Sequence, residues 1–416
     1  MQIKYFAFST WRLLTVSIFK ILGSYMEIGN DNKKPWHVWV PGVLSLHQVT
    51  ALIDEGYISF DKTVPIKKDH SSIDLTLSDE CWELTSGSVK PSGDRYLPLV
   101  KQMDLVSPKS KDQDGSFHLQ NKKTYLLKIN ENIAPLKNSS IYGQATAKSS
   151  IGRMDVLARL IVDGMSTYEE FYPELIGNGS MFLEITPMTF NVKVQPGKSL
   201  SQLRLFKGRP EDCEIKSKEL YRTVVTNVKS TDGSLSLTTQ TIEIDGKKVS
   251  AFGSKVPTDT IAEYIQLWGE ENNDPKNFWD LISPDSKGRM QIALSRFFIM
   301  RSYEKIAVPK GIAVYCRAID ETIGEMRIHY AGFAHPFFGY TQETPDSDPV
   351  PSGTPLVFEV RGHDVNVSLA HGEKMAKLIF YRMSEDANIK DNPIKKDDKY
   401  QKQDLQLSKF FKDWQP

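Results

Sequence analysis

The chain has 416 residues, 40% of them hydrophobic, and its 52 lysines and arginines equal its 52 aspartates and glutamates. That is enough apolar material for a substantial core spread over roughly two domains, which excludes a disordered or fibrous chain. Charge balance excludes a global field toward nucleic acid or an acidic membrane surface, so any anion site has to be built locally.

From the N-terminus, "FAFSTWRLLTVSIFKILGSYM" is apolar and lacks acids, but Arg12 and Lys20 interrupt any run long enough to span a bilayer. A targeting peptide and an upstream extension with its start at Met26 both fit, and residues 1–36 are set apart as an N-terminal extension. Leu46, Val49, Leu52 and Ile53 recur at helical spacing between a serine able to cap the start, Ser45, and a glycine able to end it, Gly56. A second helix is predicted from about Thr260, where Thr260 and Glu263 have capping-box spacing and Ile261, Tyr264, Ile265 and Trp268 share one face.

Nearly everything else reads as strand. "DLTL" (Asp74 to Leu77), "SMFLEI" (Ser180 to Ile185), "SLSLTTQTIEI" (Ser234 to Ile244) and "LVFEV" (Leu356 to Val360) alternate or run apolar, separated by turn clusters such as "TDGS" and "PVPSGTP". The expected class is mainly β, with sandwiches or barrels and a few short helices. Cys81, Cys213 and Cys316 lie far apart, form no C-x-x-C pair and leave one unpaired, which argues against a disulfide framework or a structural zinc site. A reducing, cytoplasmic compartment fits.

An internal repeat organises the chain. "FLEITPMTFNVKVQPGKSLSQLRLF" (Phe182 to Phe206) aligns with "VFEVRGHDVNVSLAHGEKMAKLIFY" (Val357 to Tyr381): Glu184 and Glu359, Asn191 and Asn366, Gly197 and Gly372, and Leu203 and Leu378 all stand 175 residues apart. "YLLKINENIAP" (Tyr125 to Pro135) lies over "FIMRSYEKIAV" (Phe298 to Val308) at a spacing of 173. The chain is a tandem duplication, with units over 37–208 and 209–416 and a boundary near Gly208.

Several segments carry chemistry. "KSSIGR" supplies phosphate donors, Arg153 as a fork and Ser149 and Ser150 through hydroxyls, although a solvated polar turn has the same composition. Glu184 and Glu359 sit inside apolar strands, so each faces either solvent or a pocket. "HYAGFAHPFFG" (His329 to Gly339) can wall a flat base or simply pack the core, and His335 is a ligand or a satisfied structural group. His371-Gly372-Glu373 matches the H-x-E fragment of zinc deaminases, but no P-C-x-x-C follows to complete the metal site. Phosphate-loop, dinucleotide and nucleophile-elbow motifs are missing.

In order and together, these segments resemble the dCTP deaminases, relatives of the trimeric dUTPases. "KSSIGR", then "FLEI" and "VQPGKSLSQLRLF", are similar to the family's R-S-S-L-[GA]-R, a strand L-E and R-P-G-M with I-G-Q-L. "HYAGFAHPFFG" is similar to H-x-T-A-G-x-I-D-P-G-F-x-G, and "KYQKQ" (Lys399 to Gln403) to the tail motif K-Y-x-x-Q. The likeness covers most of residues 40–410 and is nearest the long, duplicated bacterial members.

The resemblance implies tandem dUTPase-like distorted β-barrels, sites at contacts between barrels, and a homo-oligomer. It also implies hydrolysis of dCTP to dUTP and ammonia without zinc, supplying dUTP for dTTP synthesis. Carried over residue by residue, Ser149, Ser150 and Arg153 hold the triphosphate, with Lys148 in place of the family's first arginine. Glu184 and Glu359 both align with the glutamate that activates water, and Ala331, Gly332 and Phe333 form the base-binding turn. Lys399 and Gln403 close a C-terminal lid, and Mg²⁺ arrives with the triphosphate. The implied partners are dCTP as substrate and dTTP as a candidate feedback ligand, with neither nucleic acid nor membrane.

Departures from the family pattern sharpen the expectation. The first unit lacks A-G-x-x-D-P, the second has "CRAIDET" (Cys316 to Thr322) in place of "KSSIGR", and His335 stands where the family has an aspartate for the sugar. These complementary losses predict one composite site, with Ser149, Ser150 and Arg153 facing Glu359, and Glu184 left as a structural relic. The rival readings are a dUTPase or bifunctional deaminase, and a degenerate nucleotide-binding protein without catalysis.

Overall fold

A computed structural model describes residues 34–60, 66–228, 232–255, 263–318, 326–329, 332–344, 347–362, 364–391, 394, 401 and 403–414. Contacts divide the chain into Met1–Val38 and Trp39–Pro416. In the first of these, Pro35–His37 make a single 3-10 turn. The rest concerns the second.

The fold is mainly β. In the first half the strands Val156–Val162, Met181–Pro187, Thr124–Ile129, Ser72–Leu84, Ser199–Lys207, Ile141–Ala147 and Glu170–Phe171 lie side by side in that order, curving into a barrel-like sheet. The second half builds two five-stranded sheets, one holding Phe297–Ile306, Thr354–Gly362 and Met326–His329, the other Ile312–Ala318 and Lys374–Arg382. Between these sheets sits an apolar core that includes Phe298, Met300, Val314, Phe358, Val360 and Phe380.

Strand register repeats between the halves. Glu184 is paired across the sheet with Leu126 on one side and Arg159 on the other. Glu359 is paired with Ile299 and His329. Each half also buries a glutamate that caps a neighbouring strand: Glu131 accepts from the Thr76 backbone N–H (2.8 Å) and hydroxyl (2.7 Å), and Glu304 accepts from the same groups of Ser236 (both 2.6 Å). Duplication has therefore copied structural acids as well as strands.

The helix at Leu46–Asp54 forms because Ser45 and Gln48 satisfy each other's backbone N–H groups in a capping box, while Val49 and Leu52 are buried. The helix expected from about Thr260 is not found where the chain is described. Ile265–Gln266 is instead a strand running parallel to Val192–Val194, with the Ile265 N–H bonded to the Asn191 carbonyl at 2.9 Å. A β-branched residue that can complete a sheet edge overrides a helical spacing of only four apolar residues. Thr260 and Ile261 lie outside the described residues.

The halves meet through the parallel bridge between Val43 and Met383 and a cluster in which Phe206 packs edge-on against Tyr381 at 5.4 Å. All three cysteines are free and buried. Among the described residues no helix is long and apolar enough to cross a membrane.

Candidate active site

The serines and arginine of "KSSIGR" fall on a one-turn helix, Ser149–Gly152, with Lys148 as extended N-cap and Arg153 as C-cap. Asp155 then passes through a left-handed conformation (φ 57°) into the strand Val156–Val162. This tight reversal presents Gly152, Arg153 and Asp155 to the second half. Facing them is the strand Thr354–Gly362, whose alternation aims Glu359 and Arg361 to the same side.

Between the two lies a cavity of about 80 Å³. The first half contributes Lys148, Ser149, Gly152 and Arg153, the second contributes Glu359 with Gly332, Phe333 and Phe338, and the C-terminal tail contributes Gln403. Glu359 is 5% exposed, and among the described residues its buried Oε2 has no hydrogen-bond partner. Burial pushes its carboxyl well above the usual glutamate value; the charge of Arg153 pulls it down and that of Asp155 pushes it further up. Cys316, also on the wall, is a neutral thiol held up at about 12 by burial.

Arg153 is nearly inaccessible and is held by the tail: its Nη2 donates to Gln403 Oε1 and its Nη1 to the Gln406 carbonyl at 3.1 Å. Gln403 in turn donates to the Pro355 carbonyl at 3.0 Å, and the Ser408 hydroxyl donates to the Ser150 carbonyl at 2.7 Å. The tail thus straps the one-turn helix to the Glu359 strand.

A second, more polar cavity of about 210 Å³ shares Lys148, Ser149, Phe333 and Phe338 with the first. Its other walls include Ser150, Gln202, Arg204, Lys409, His70 and His335. Lys148 forms an ion pair with Asp74. The Arg204 guanidinium lies 3.8 Å over the Phe333 ring, and the His70 and His335 rings stack at 3.4 Å, 7° from parallel. Cations, hydroxyls and an aromatic face beside a small, mostly apolar chamber suit an anion joined to a flat ring.

Two family models match the chain: the 2'-deoxycytidine 5'-triphosphate deaminase N-terminal domain over residues 40–209 and the corresponding C-terminal domain over 212–411. The chain belongs to the dCTP deaminase family. It is an enzyme of that family, a dCTP deaminase. Its fold is similar to the crystal structure of 2'-deoxycytidine 5'-triphosphate deaminase from Agrobacterium tumefaciens, at 24% identity and a TM-score of 0.72, covering 84% of this chain and 99% of that one. No curated protein matches it.

Against the family pattern, Ser149, Arg153, Glu359, Gly332, Phe333 and Gln403 come together at the first cavity, and Lys148, Ser150 and His335 at the adjoining one. Ala331 and Lys399 lie outside the described residues. Glu184 is elsewhere, 1% exposed and fully engaged: Arg159 donates to it in an ion pair, the Ser88 hydroxyl at 2.9 Å and the Tyr168 hydroxyl at 3.1 Å. Arg159 also lies 4.1 Å over the Tyr168 ring, closing the network. Sequence reading missed Asp74, Asp155, His70 and Arg361. It also passed over Arg204, although Arg204 and Arg361 both lie inside the aligned repeat stretches and Asp74 begins the quoted "DLTL".

Proposed function

We propose that the deaminase reaction of this chain runs at the composite cavity with Glu359 as its proton-transfer group. The observation that carries this reading is the buried Glu359 carboxylate, whose Oε2 has no hydrogen-bond partner among the described residues and which lines the cavity with Ser149 and Arg153 of the other half. A cytosine ring in the small chamber sets C4 near that carboxylate, and the triphosphate extends among Lys148, Ser149, Ser150, Arg204 and Lys409.

Ionised Glu359 takes a proton from water as the oxygen bonds to C4. The protonated carboxyl then gives that proton to the departing N4, the C4–N bond breaks, the second water hydrogen passes from O4 to N3, and dUTP and ammonia leave. Arg153 favours the ionised form before attack and stabilises charge during it. The tail, through Gln403, holds Arg153 in position.

Zinc is not required on this reading. Among the described residues no three histidine, cysteine or acidic side chains gather as a metal site. The residues around the polar cavity likewise suit phosphate oxygens better than a protein-held Mg²⁺, which enters on the nucleotide. On this reading a homo-oligomer carries one such composite site for each chain, and dTTP, which shares the triphosphate and sugar, would compete there.

The test is release of ammonia and dUTP from dCTP and Mg²⁺ with a zinc-selective chelator present. Undiminished turnover supports the reading, whereas turnover that vanishes with the chelator and returns with zinc contradicts it. Pyrophosphate release would indicate the dUTPase chemistry instead.

A further inference from the structure

A second charged pair crosses the same boundary beside the cavity. Asp155 of the first half is fully buried, and its carboxylate accepts from Arg361 on one oxygen and from the Thr189 hydroxyl on the other. Its backbone is fixed as well, the N–H bonded to the Gly152 carbonyl and the carbonyl to the Met188 N–H, both at 2.9 Å. Asp155 is thus an immovable part of the turn that carries Gly152 and Arg153. Arg361 lies two residues beyond Glu359, on the same face of the same strand, with its side chain 13% exposed.

The repeat shows that this contact is special to the composite boundary. The position matching Arg361 at the spacing of 175 is Thr186, whose hydroxyl meets the Thr124 hydroxyl at 3.0 Å within its own half. Glu184 and Thr186 therefore sit in a self-contained half, whereas Glu359 and Arg361 both reach across. The crossing residues alternate in charge: Arg153 and Asp155 from one side, Glu359 and Arg361 from the other.

We infer that the Asp155–Arg361 ion pair is a positioning device for Glu359, which locks the Arg153 turn to the Glu359 strand and fixes the net charge beside the carboxylate. This rests on the proposed role of Glu359. Intact, the pair places opposite charges side by side and leaves Arg153 as the deciding cation. Burial holds the Asp155 carboxyl up at about 6, with Arg361 and Thr189 opposing that rise, so the aspartate depends on its partner to stay ionised. The other groups facing Glu359 are Lys148 from the one-turn helix, Cys316 from the neighbouring sheet and Gln403 from the tail. His329 is its partner in strand register.

Removing one member of the pair acts differently on Glu359 from removing the other, a signature that a merely structural tie lacks. Asp155→Asn keeps the shape and leaves Arg361 uncompensated, which favours the Glu359 carboxylate. Arg361→Met removes the cation that keeps Asp155 ionised, so Asp155 takes up a proton and the charge beside Glu359 stays near zero.

The experiment is the pH dependence of kcat/KM for dCTP in the full chain, wild type and both variants, with Glu359→Gln as control. The expected result is an acid limb about one unit lower in Asp155→Asn, where Arg361 keeps its charge, and near its wild-type place in Arg361→Met, where Asp155 is neutralised with it. Should Arg361→Met fail to fold, Arg361→Lys keeps the charge and is expected to hold the limb near its wild-type place; a displaced limb there counts against the inference. If Glu359→Gln is inactive but the limb stays put in Asp155→Asn, or falls by as much in Arg361→Met, the inference alone is overturned. If Glu359→Gln retains wild-type turnover, the reading of Glu359 falls, and this inference with it.

Discussion

Gly152 lies directly against the carboxylate of Glu359: a Cβ at that position would fall 2.2 Å from Oε2. The contact joins the two halves of the chain at the cavity, and it explains why a residue without a side chain stands between Ser149 and Arg153. The obstructed atoms are the free end of a glutamate, so one methyl group can be met by turning the carboxylate. Gly152→Ala is therefore expected to lower kcat by less than about tenfold. Gly152→Val drives the carboxylate out of line and is expected to lower kcat by about 100-fold or more while dCTP still binds. Steady-state kinetics beside equilibrium binding separates the two.

A functional carboxylate held in an apolar chamber works against folding. Glu359 binds its proton more tightly folded than unfolded, so its contribution to stability is fully present below about 4.5 and is lost as pH rises through the higher folded value. Glu359→Gln removes that loss. The variant is expected to be more stable than wild type at pH 8, by about 1–2 kcal/mol, and to lose that advantage at pH 5. Thermal unfolding at the two pH values measures the difference.

The tail bonds predict a different kinetic effect. Gln403→Ala frees Arg153 from its side-chain partner and the Pro355 carbonyl from its donor. A hydrogen bond to a charged group is worth about 1.5–3 kcal/mol, so kcat/KM is expected to fall by at least about tenfold. The fold is expected to persist, because the apolar tail contacts of Phe411 with Trp279 and Phe278 are untouched. A circular dichroism melt alongside the kinetics checks both parts.

Much of this was legible in the sequence because duplication writes the same register twice. The glutamates 175 residues apart fall at equivalent pairing positions, and the losses in "CRAIDET" and in the first unit's turn point to a split site. Those losses favoured Glu359 over Glu184, but the surroundings that distinguish them were not legible, since they depend on neighbours distant in sequence: Arg159, Ser88 and Tyr168 surround one carboxylate, Gly152 and Arg153 the other. Asp155 and Arg361 are 206 residues apart, and nothing in either segment marks them as partners. The strand at Ile265 was misread as helix because its partner, Val192, lies in the other half.

The central claim is that one of two matched glutamates does the chemistry, and single-turnover deamination of dCTP by Glu359→Gln and Glu184→Gln, each with dCTP binding measured in parallel, tests it most directly. Glu359→Gln is expected to bind dCTP and fall by about 100-fold or more in rate. Glu184→Gln is expected to keep a near wild-type rate while losing about 1–3 kcal/mol of stability from its broken pair with Arg159, which is partly exposed. Equal loss of rate in both variants, or loss confined to Glu184→Gln, would contradict the account.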